Sequence, residues 1–424
     1  LTTVWLGSSC LPVRQLVLLT ALMKPLKAVT HSCKSANLIG RHTLGRFSFS
    51  NMPKPLNLIA ANDTFGALVA FADVLDGKCA LFITAAEVNG KMPETHGLPN
   101  EVADDVALIV ETSGSTGIAK RIEISREALI ASAHAAAFVL DAAEHSSQWL
   151  LALPTNFIAG ANVLIRSVIA GTQPVMMNTS VPFTAEAFAN SAMHLKAEKK
   201  FTSLVPTQLT RLAKAAKHDA FVLDQLRKFD AILVGGQATD HVLIGDLEAL
   251  GVNIVTTYGM TETCGGCIYN GLPIGDTEIK LVDGRIAIKN SMLANVPLDA
   301  DGFFVTNDAG EITDDGRLAV LGRIDRVINS GGVKVSLDRV EQLGQRVTGV
   351  VDLAAAAIHD MEWGERVGIA YVGSPEVADD IARALANDLG PAGKPVQVIR
   401  VDKLPKTAND KNNLIAISKL FEEN

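Results

Sequence analysis

The sequence predicts an α/β protein: a large N-terminal layered α/β domain with mostly parallel sheets and a small β element, followed by a small C-terminal α+β domain joined by a hinge. From about residue 60 to residue 256, short apolar runs alternate with helical patterns, which is typical of βαβ repetition. The pairs Asp283-Gly284 and Asp315-Gly316 then each separate two strand-like runs, which indicates antiparallel hairpins. Beyond residue 325 helix and strand patterns are mixed again, as expected of a separate small domain.

The predicted elements follow in a regular order. A strand over 106–110 precedes a helix that Ser125 caps and that runs to Leu140. The next strands and helices are predicted at 149–153, 158–170, 202–205, 207–217, 231–234, 240–250 and 253–256. The later elements are hairpin strands 279–282 and 285–289, helix 337–347, strands 351–358 and 367–372, helix 376–389 and strand 396–401. In such sheets ligands bind beyond the carboxyl ends of the strands, so the segments after Val110, Val234 and Thr256 are the candidate binding segments.

Composition excludes several classes of function. The net charge is −8 without a sustained basic stripe, which disfavours nucleic acid as a partner. No apolar run approaches the length of a membrane span, so no integral membrane segment is expected. Five cysteines in 424 residues suit a reducing, cytoplasmic protein rather than a disulfide framework. The oligomeric state is left open, a homo-oligomer included.

The length favours more than one domain, and we expect a large domain over 52–322 and a small mobile one over 326–424. Residues 1–51 contain neither Asp nor Glu. Two interpretations fit this composition: a start site set too early, with Met52 the true start, or a targeting-like leader. In both cases these residues are expected to lie outside the fold.

Residues 112–120, which read Thr-Ser-Gly-Ser-Thr-Gly-Ile-Ala-Lys, carry the strongest chemical signal. Glycines allow backbone N–H groups to converge on an anion, hydroxyl groups add donors, and lysine adds positive charge. The segment is not a P-loop, because the GxxxxGK[ST] pattern is absent. It is typical of a loop that binds polyphosphate.

This loop resembles the phosphate loop of the adenylate-forming enzymes, which comprise acyl-CoA synthetases, luciferases and peptide-synthetase adenylation domains. Further segments resemble motifs of that family in the same order: Gly235-Gly236-Gln237-Ala238, Thr257-Tyr258-Gly259-Met260-Thr261-Glu262, Asp308, Gly322-Arg323-Ile324-Asp325 and 404–411. The resemblance implies a carboxylic acid, ATP, Mg²⁺ and a thiol acceptor as the reactants, with no zinc and no flavin.

The resemblance also implies a role for each matching residue. Ser113, Ser115, Thr116 and Lys120 would bind the β- and γ-phosphates. Tyr258 would pack against adenine beside the backbone of Gly235, Gly236 and Gln237, with Asp308 and Arg323 on the ribose. Thr112, Gly114, Gly117 and Thr257 would also belong to the ATP-binding site. Thr261 would donate to the α-phosphate, Glu262 would bind Mg²⁺, and Lys411 would bridge the carboxylate and the α-phosphate during adenylation. Asp325 would be the hinge about which the small domain rotates between the two half-reactions.

The sequence says less about the acid. We expect free coenzyme A as the acceptor because no carrier domain follows Asn424. The segments 151–172 and 256–267 resemble those of the compact o-succinylbenzoate–CoA ligases of menaquinone synthesis, but Asn156 and Phe157 replace the usual histidine. Asn156 and Arg166 are candidates for binding a second carboxylate of the substrate, although Arg166 could equally lie on a helix surface.

Two alternatives stay open: another aryl- or acyl-CoA ligase, and a weakly catalytic nucleotide-binding member of the family. Asp410 supports the second alternative, because the family usually has glycine immediately before the catalytic lysine. The pair Cys264 and Cys267 has the spacing of a redox pair or half a zinc site. No second such pair is present, so we expect these cysteines to shape the wall of an acyl pocket.

Overall fold

The computed structural model describes residues 52–88, 91–93, 95, 97–113, 119–406 and 412–422, with the backbone alone for Ser113 and Ala119. It also gives the backbone of two short strands near the N-terminus. Apart from these two strands, residues 1–51 are not in the described part of the chain. The expectation that they lie outside the fold therefore stays a prediction.

The strands of the first three quarters of the chain are short and are separated mostly by helices in the first part and by turns in the second. They are β1 (Trp5–Leu6), β2 (Ser9–Cys10), β3 (Lys54–Ala60), β4 (Ala80–Thr84), β5 (Glu101–Val102), β6 (Val106–Ser113), β7 (Ala119–Ser125), β8 (Ser147–Leu151), β9 (Val175–Met176), β10 (Lys199–Leu204), β11 (Ala231–Gly235), β12 (Ile254–Met260), β13 (Gly265–Tyr269), β14 (Leu272–Pro273), β15 (Glu278–Val282), β16 (Arg285–Lys289), β17 (Phe304–Ile312) and β18 (Leu318–Arg323).

The helices of the same region are α1 (Thr64–Leu75), α2 (Arg126–Val139), α3 (Ile158–Ala170), α4 (Ala185–Ala192), α5 (Pro206–Ala216), α6 (Ala220–Leu226) and α7 (His241–Ala249). The residues at the helix ends determine where two of these helices begin or stop. The Ser125 hydroxyl accepts the N–H of Ala128 at 3.1 Å and caps α2, as predicted. Gly171, with φ of 66°, ends α3 in the left-handed conformation that favours glycine.

The strands form mostly parallel sheets, as predicted. One sheet has the order β14-β13-β12-β11-β10-β8-β9, in which β9, β8, β10, β11 and β12 are parallel. A second has the order β5-β3-β4-β6-β7 with β3, β4 and β6 parallel. The strands β15, β16, β17 and β18 form an antiparallel sheet, which is the predicted small β element.

Helix α3 is largely buried and carries Arg166, a predicted substrate-binding residue. It packs on α1, α2 and β8, and Val163, Leu164 and Ile165 are fully buried. A helix that is apolar on nearly every side belongs in the interior rather than on a surface. The polar side chains that α3 does carry are therefore held in a largely apolar core.

The last part of the chain forms the small α+β domain, beginning after a 3-10 turn at Ile324–Arg326. Its elements are β19 (Val327–Ser330), β20 (Val333–Ser336), α8 (Leu337–Gly344), β21 (Val350–Asp360), β22 (Gly364–Gly373), α9 (Ala378–Leu389), β23 (Gln397–Arg400) and α10 (Leu414–Glu422). The strand order is β20-β19-β22-β21, with β23 parallel to β22. Val340, Ile369 and Ile381 are buried in a core of its own.

The structure differs from the sequence prediction at two motif segments. Thr112 and Lys120, predicted in a loop, are paired residues of β6 and β7, so the two strands that flank the predicted phosphate loop form an antiparallel pair. Strand β12 continues to Met260 because β13 folds back and pairs with it. Backbone hydrogen bonding extends both strands beyond the point where their apolar character ends.

Candidate active site

The parallel register brings the predicted adenine-side segments together at the carboxyl ends of β11 and β12. Gly235 pairs with Thr257, and a Cβ atom at Gly235 would lie 2.3 Å from the Thr257 hydroxyl oxygen. Only glycine allows this approach. Gly236 follows with φ of 84°, and Gln237 is exposed beyond the strand, so the segment turns outward where a ligand could reach it.

The phosphate hairpin is only partly described. The Thr112 hydroxyl donates to the Lys120 carbonyl at 3.1 Å across the hairpin, and Ser113 pairs with Ala119. Gly114, Ser115, Thr116 and Gly117 lie outside the described residues, so their predicted phosphate contacts stay predictions.

The hairpin is joined to the next motif by an ion pair. The Lys120 Nζ atom lies 3.6 Å from Oε1 of Glu262, whose side chain is only 18 % exposed. Glu262 and Thr261 belong to a 3-10 turn at Thr261–Thr263. The Thr263 hydroxyl accepts the N–H of Met260 at 2.9 Å and donates to the Gly265 carbonyl at 2.7 Å, which fixes the turn and hence the position of Glu262.

A second polar group joins Tyr258 to Asp308, the residue predicted to bind the ribose. The Tyr258 hydroxyl donates to Oδ2 of Asp308 at 2.7 Å. Burial raises the pKa of the Asp308 carboxyl above its usual value, and the hydrogen bond from Tyr258 opposes that shift. Burial, together with the Asp308 charge, raises the pKa of Tyr258 far above its ordinary value, so the phenol stays protonated and remains a donor.

Arg323 lies across the strand pair from Asp308, but its side chain binds Asp325, the predicted hinge residue. Its Nε and Nη2 atoms donate to the two carboxylate oxygens of Asp325 at 2.7 and 2.5 Å. This fork lowers the pKa of Asp325. In this arrangement Arg323 binds the predicted hinge residue, whereas the family resemblance implies that it binds the ribose.

The predicted hinge segment is bound on both sides by one residue that no sequence motif indicated. Asp338, in the first turn of α8, accepts the backbone N–H of Arg323 at 2.8 Å and also binds the buried side chain of Arg326. Arg326 is bound in addition by Glu341, with Nη2 and Oε1 2.7 Å apart. No local sequence pattern marks Asp338, because its partners lie 12 and 15 residues earlier.

A second missed contact links the small domain to the large one. The Nη2 atom of Arg346, just after α8, lies 3.1 Å from Oδ1 of Asp240. Asp240 is also the N-cap of α7, where it accepts the N–H of Val242 at 3.1 Å. Because α7 follows the Gly235–Gln237 segment, this ion pair holds the small domain beside the predicted adenine loop.

The predicted catalytic residue Lys411 lies outside the described residues, as does Asp410. The two described residues that flank this segment, Lys406 and Asn412, contact each other. The backbones of Lys406 and Asn412 pair, and the Lys406 Nζ atom donates to Oδ1 of Asn412 at 2.6 Å. The Lys406 Nζ atom also lies 2.6 Å from Oδ2 of Asp352 in β21. This ion pair attaches Lys406 to the sheet of the small domain.

The structure places Arg166 in the interior, so the surface alternative is wrong. Arg166 is 7 % exposed on α3. Its guanidinium carbon lies 4.9 Å from the Trp149 ring centroid, and its Nη2 atom donates to the Tyr269 hydroxyl at 3.3 Å. Among the described residues it has no carboxylate partner, and its Nε atom has no hydrogen-bond partner. Asn156 is half-buried at the start of the same helix region.

Cys264 and Cys267 are fully buried. Burial raises the pKa of each thiol to about 12, so both are protonated at neutral pH and are poor metal ligands or nucleophiles. The Cys264 carbonyl accepts Nδ2 of Asn162 at 2.8 Å and the hydroxyl of Ser132 at 3.1 Å. These contacts tie the segment after the Glu262 turn to α2 and α3.

A cavity of about 460 Å³ lies elsewhere, at the amino-terminal ends of β11 and β12. Its lining includes Asp230, Asn253, Leu272 and Arg317. Because the predicted nucleotide residues lie at the opposite ends of these strands, this cavity is not the candidate active site. Within the part of the chain that the structure describes, no helix is both long and apolar enough to cross a bilayer.

Comparison with known proteins agrees with the motif order. Residues 55–312 match the AMP-binding enzyme family, and residues 339–411 match the AMP-binding enzyme C-terminal domain. A probable 2-succinylbenzoate–CoA ligase of Mycobacterium tuberculosis is 34 % identical over 383 residues, which cover 87 % of this chain and 98 % of the relative.

Solved structures share the fold. The o-succinylbenzoate CoA synthetase of Bacillus subtilis in complex with its acyl-adenylate intermediate superposes with a TM-score of 0.71 at 21 % identity, covering 86 % of this chain and 88 % of that one. The same Bacillus subtilis enzyme in complex with ATP and magnesium ion gives a TM-score of 0.68 at 20 % identity, covering 85 % and 88 %. The predicted family and fold class are confirmed: this chain belongs to the AMP-binding enzyme family.

Proposed function

We propose that this protein activates o-succinylbenzoate with ATP to form an acyl-adenylate and transfers the acyl group to coenzyme A, as a step of menaquinone synthesis. Family membership supports the chemistry, and the name of the Mycobacterium tuberculosis relative supports the acid. Both ATP and coenzyme A are cytoplasmic metabolites, so we infer a cytoplasmic enzyme.

The observation that carries the choice of acid is the buried Arg166. A buried guanidinium without an anion is costly, because its desolvation is not repaid by a partner. o-Succinylbenzoate has two carboxylates: the succinyl carboxylate is activated, and the aromatic carboxylate needs a cation with directed donors. Arg166 has the Trp149 ring on its face, Tyr269 at one nitrogen and a free Nε donor, which suits it to bind the aromatic carboxylate.

The adenylation step joins two anions, so neutralising charge is the main task of the protein. A carboxylate oxygen of the acid attacks the α-phosphorus of ATP, the bond to the β-phosphate oxygen breaks, and pyrophosphate leaves. Lys120 and the phosphate hairpin would hold the leaving pyrophosphate, with Thr261 at the α-phosphate and Lys411 between the two reacting groups. The thiolate of coenzyme A then attacks the acyl carbon, and AMP leaves with the bonding electrons.

The residues at the Thr261–Thr263 turn fit a magnesium ion. Mg²⁺ is usually held by one or two carboxylates together with phosphate oxygens and water, and Glu262 offers one half-buried carboxylate beside the phosphate hairpin. When bound with ATP, the ion supplies positive charge that stabilises the developing charge on the phosphates. Lys120 would move from Glu262 to the phosphates when the nucleotide binds.

The proposal is tested by an acid panel with ATP and coenzyme A, with thioesters identified by mass spectrometry. o-Succinylbenzoate should be converted with the highest kcat/KM. Thioester from another aryl or acyl acid at a higher kcat/KM would replace the assigned substrate. Absence of pyrophosphate with every acid would favour the nucleotide-binding alternative that Asp410 suggests.

The role of Arg166 is tested with benzoylpropionate, which lacks only the aromatic carboxylate. Arg166→Met should raise the KM for o-succinylbenzoate by about tenfold to a hundredfold, the loss expected for a charged hydrogen bond. The KM for benzoylpropionate should change little, and Arg166→Lys should recover part of the loss. An equal loss with both acids would mean that Arg166 only supports the core.

A further inference from the structure

Tyr258 contacts the residue assigned to the ribose, although the family resemblance assigns Tyr258 to adenine. Its hydroxyl lies 2.7 Å from Oδ2 of Asp308 and is half-buried between β12 and β17. The two residues are 50 positions apart and belong to different sheets. This contact therefore connects the sheet that holds the adenine segment to the sheet that holds the ribose residue.

Among the described side chains, Tyr258 donates a hydrogen bond to the Asp308 carboxylate. Arg323 is the nearest strand neighbour of Asp308, but its guanidinium binds both oxygens of Asp325. The Thr306 hydroxyl is engaged by the backbone of Asp308, whose N–H donates to it at 3.1 Å. The orientation of the carboxylate thus depends on the tyrosine hydroxyl.

We propose that the Tyr258 hydroxyl is a positioning group for ribose recognition: it fixes the Asp308 carboxylate so that the remaining acceptor sites face the ribose hydroxyls. The terminal torsion of an aspartate is broad, so without a fixed donor its oxygens would sample many directions. An ionised carboxylate only accepts, and its two oxygens offer about four acceptor positions. Oδ2 can accept from Tyr258 and still leave room for a sugar hydroxyl.

This inference rests on the proposed function, because it assumes a nucleotide at these strand ends. It adds a link between the base and the sugar: one side chain would touch adenine with its ring and set the ribose acceptor with its hydroxyl. Preorganised acceptors increase affinity mainly by lowering the ordering cost of binding. The Tyr258 hydroxyl should therefore affect discrimination at the sugar without affecting discrimination at the base.

The charges around Asp308 give the inference a pH signature. Arg323 on β18 favours ionisation of Asp308, whereas Asp325 in the hinge turn and Asp338 on α8 disfavour it, as does burial. The Tyr258 hydrogen bond stabilises the ionised form. Removal of the hydroxyl should raise the pKa of Asp308 further, and a protonated Asp308 loses acceptor positions. On acidification, the variant without the Tyr258 hydroxyl should therefore lose nucleotide affinity at a higher pH than the wild type does.

The test uses the full-length protein with ATP, 2′-deoxy-ATP and 3′-deoxy-ATP, each with Mg²⁺ and without an acid, measured by titration calorimetry. In the wild type, removal of the recognised hydroxyl should weaken binding by about tenfold, the size expected for a hydrogen bond to a charged group. In Tyr258→Phe, which keeps the ring, the ratio of the affinity for ATP to the affinity for the weaker-binding deoxy-ATP should fall at least threefold. ATP binding should also begin to weaken at a higher pH than in the wild type. The preference for ATP over ITP should stay unchanged.

Controls separate positioning from packing. Tyr258→Leu, which removes the ring as well, should reduce the preference for ATP over ITP. With an accepted acid, Tyr258→Phe should raise the KM for ATP and leave kcat nearly unchanged. An unchanged ratio of ATP to deoxy-ATP affinity in Tyr258→Phe would overturn the inference. Wild-type protein that binds ATP but activates no acid would refute only the proposed function, whereas wild-type protein that binds no ATP would refute both.

Discussion

The side chains of Arg346 and Asp240 join the small domain to the large one across a distance of 3.1 Å. Arg346 follows α8, and Asp240 caps α7 next to the predicted adenine segment. Both side chains are more than one third exposed, so the pair contributes little to overall stability. Its effect would be on the relative orientation of the two domains.

We expect loss of this ion pair to change the balance between the half-reactions. If the small domain rotates between two arrangements, a contact present in one of them favours that one. Asp240→Asn keeps the α7 cap, because asparagine also caps helices, and removes the charge. It should change the ratio of adenylation to thioester formation by about 1.4-fold to fivefold, since an exposed pair is worth about 0.2–1 kcal/mol.

Stopped-flow measurement of each half-reaction provides the readout. Arg346→Met should act in the same direction as Asp240→Asn, and the double variant should be no worse than either single one. High salt should abolish the difference from wild type. Additive effects in the double variant would mean that the two residues act independently.

We expect Lys411→Ala to impair adenylation and spare thioester formation. A charge placed against transition-state oxygens is worth about 3–4 kcal/mol, or 10²–10³ in rate. Preformed acyl-adenylate supplied with coenzyme A should still be converted to thioester. Lys419→Ala is the matched control, because Lys419 is an exposed residue in the last turn of α10. Equal loss in both half-reactions would exclude the assigned role of Lys411.

We expect Asp325→Pro to separate the two half-reactions in the opposite way. Proline fixes φ and removes the N–H group, so it should hold one domain arrangement, with the acyl-adenylate formed and thioester formation lost. Because Asp325 also binds Arg323, Asp325→Ala is needed as a control that removes the ion pair and leaves the backbone free. Burst measurement of adenylate and a steady-state thioester assay decide the matter, after circular dichroism has checked folding. Normal thioester turnover in the proline variant would place the hinge elsewhere.

We expect Gly259→Ala to destabilise the segment that carries Glu262. A Cβ atom at Gly259 would lie 2.0 Å from the Gly265 carbonyl oxygen, so β12 and β13 would have to separate. Thermal unfolding should show a lower Tm, with activity lost in parallel. Gly245→Ala is the matched control: Gly245 lies within α7 with nothing near its Cβ position, and alanine should stabilise that helix by about 0.5–1 kcal/mol. A Gly259→Ala protein with unchanged Tm would contradict the close approach.

Local chemistry allowed much of the fold to be predicted. The Ser125 cap of α2 and the Asp283-Gly284 hairpin between β15 and β16 are confirmed, because each depends on neighbouring residues. Strand β7 was missed, although Ile122 and Ile124 are buried in alternation with more exposed residues. The glycine and hydroxyl pattern before it suggested a longer loop.

The site was less predictable because its contacts are distant in sequence. The motifs indicated Tyr258 and Asp308 separately, but no spacing rule indicates a hydrogen bond between residues 50 positions apart. Arg166 could not be placed on a face of α3, since the helix is mostly apolar and its few polar residues do not mark one exposed face. Its burial depends on contacts with Trp149 and Tyr269, which belong to strands β8 and β13.

The hydrogen bonds that Asp338 accepts from Arg323 and Arg326 would limit the predicted rotation of the small domain. Arg326 is anchored to Asp338 and Glu341 and so would travel with the small domain as a rigid part of it, while the Arg323 N–H bond to Asp338 would have to open. The pivot then reduces to Ile324 and Asp325, which offer only about four soft torsions. So short a pivot would allow only a few relative positions of the two domains, and the Arg323–Asp338 hydrogen bond and the Arg346–Asp240 ion pair would both have to open between them.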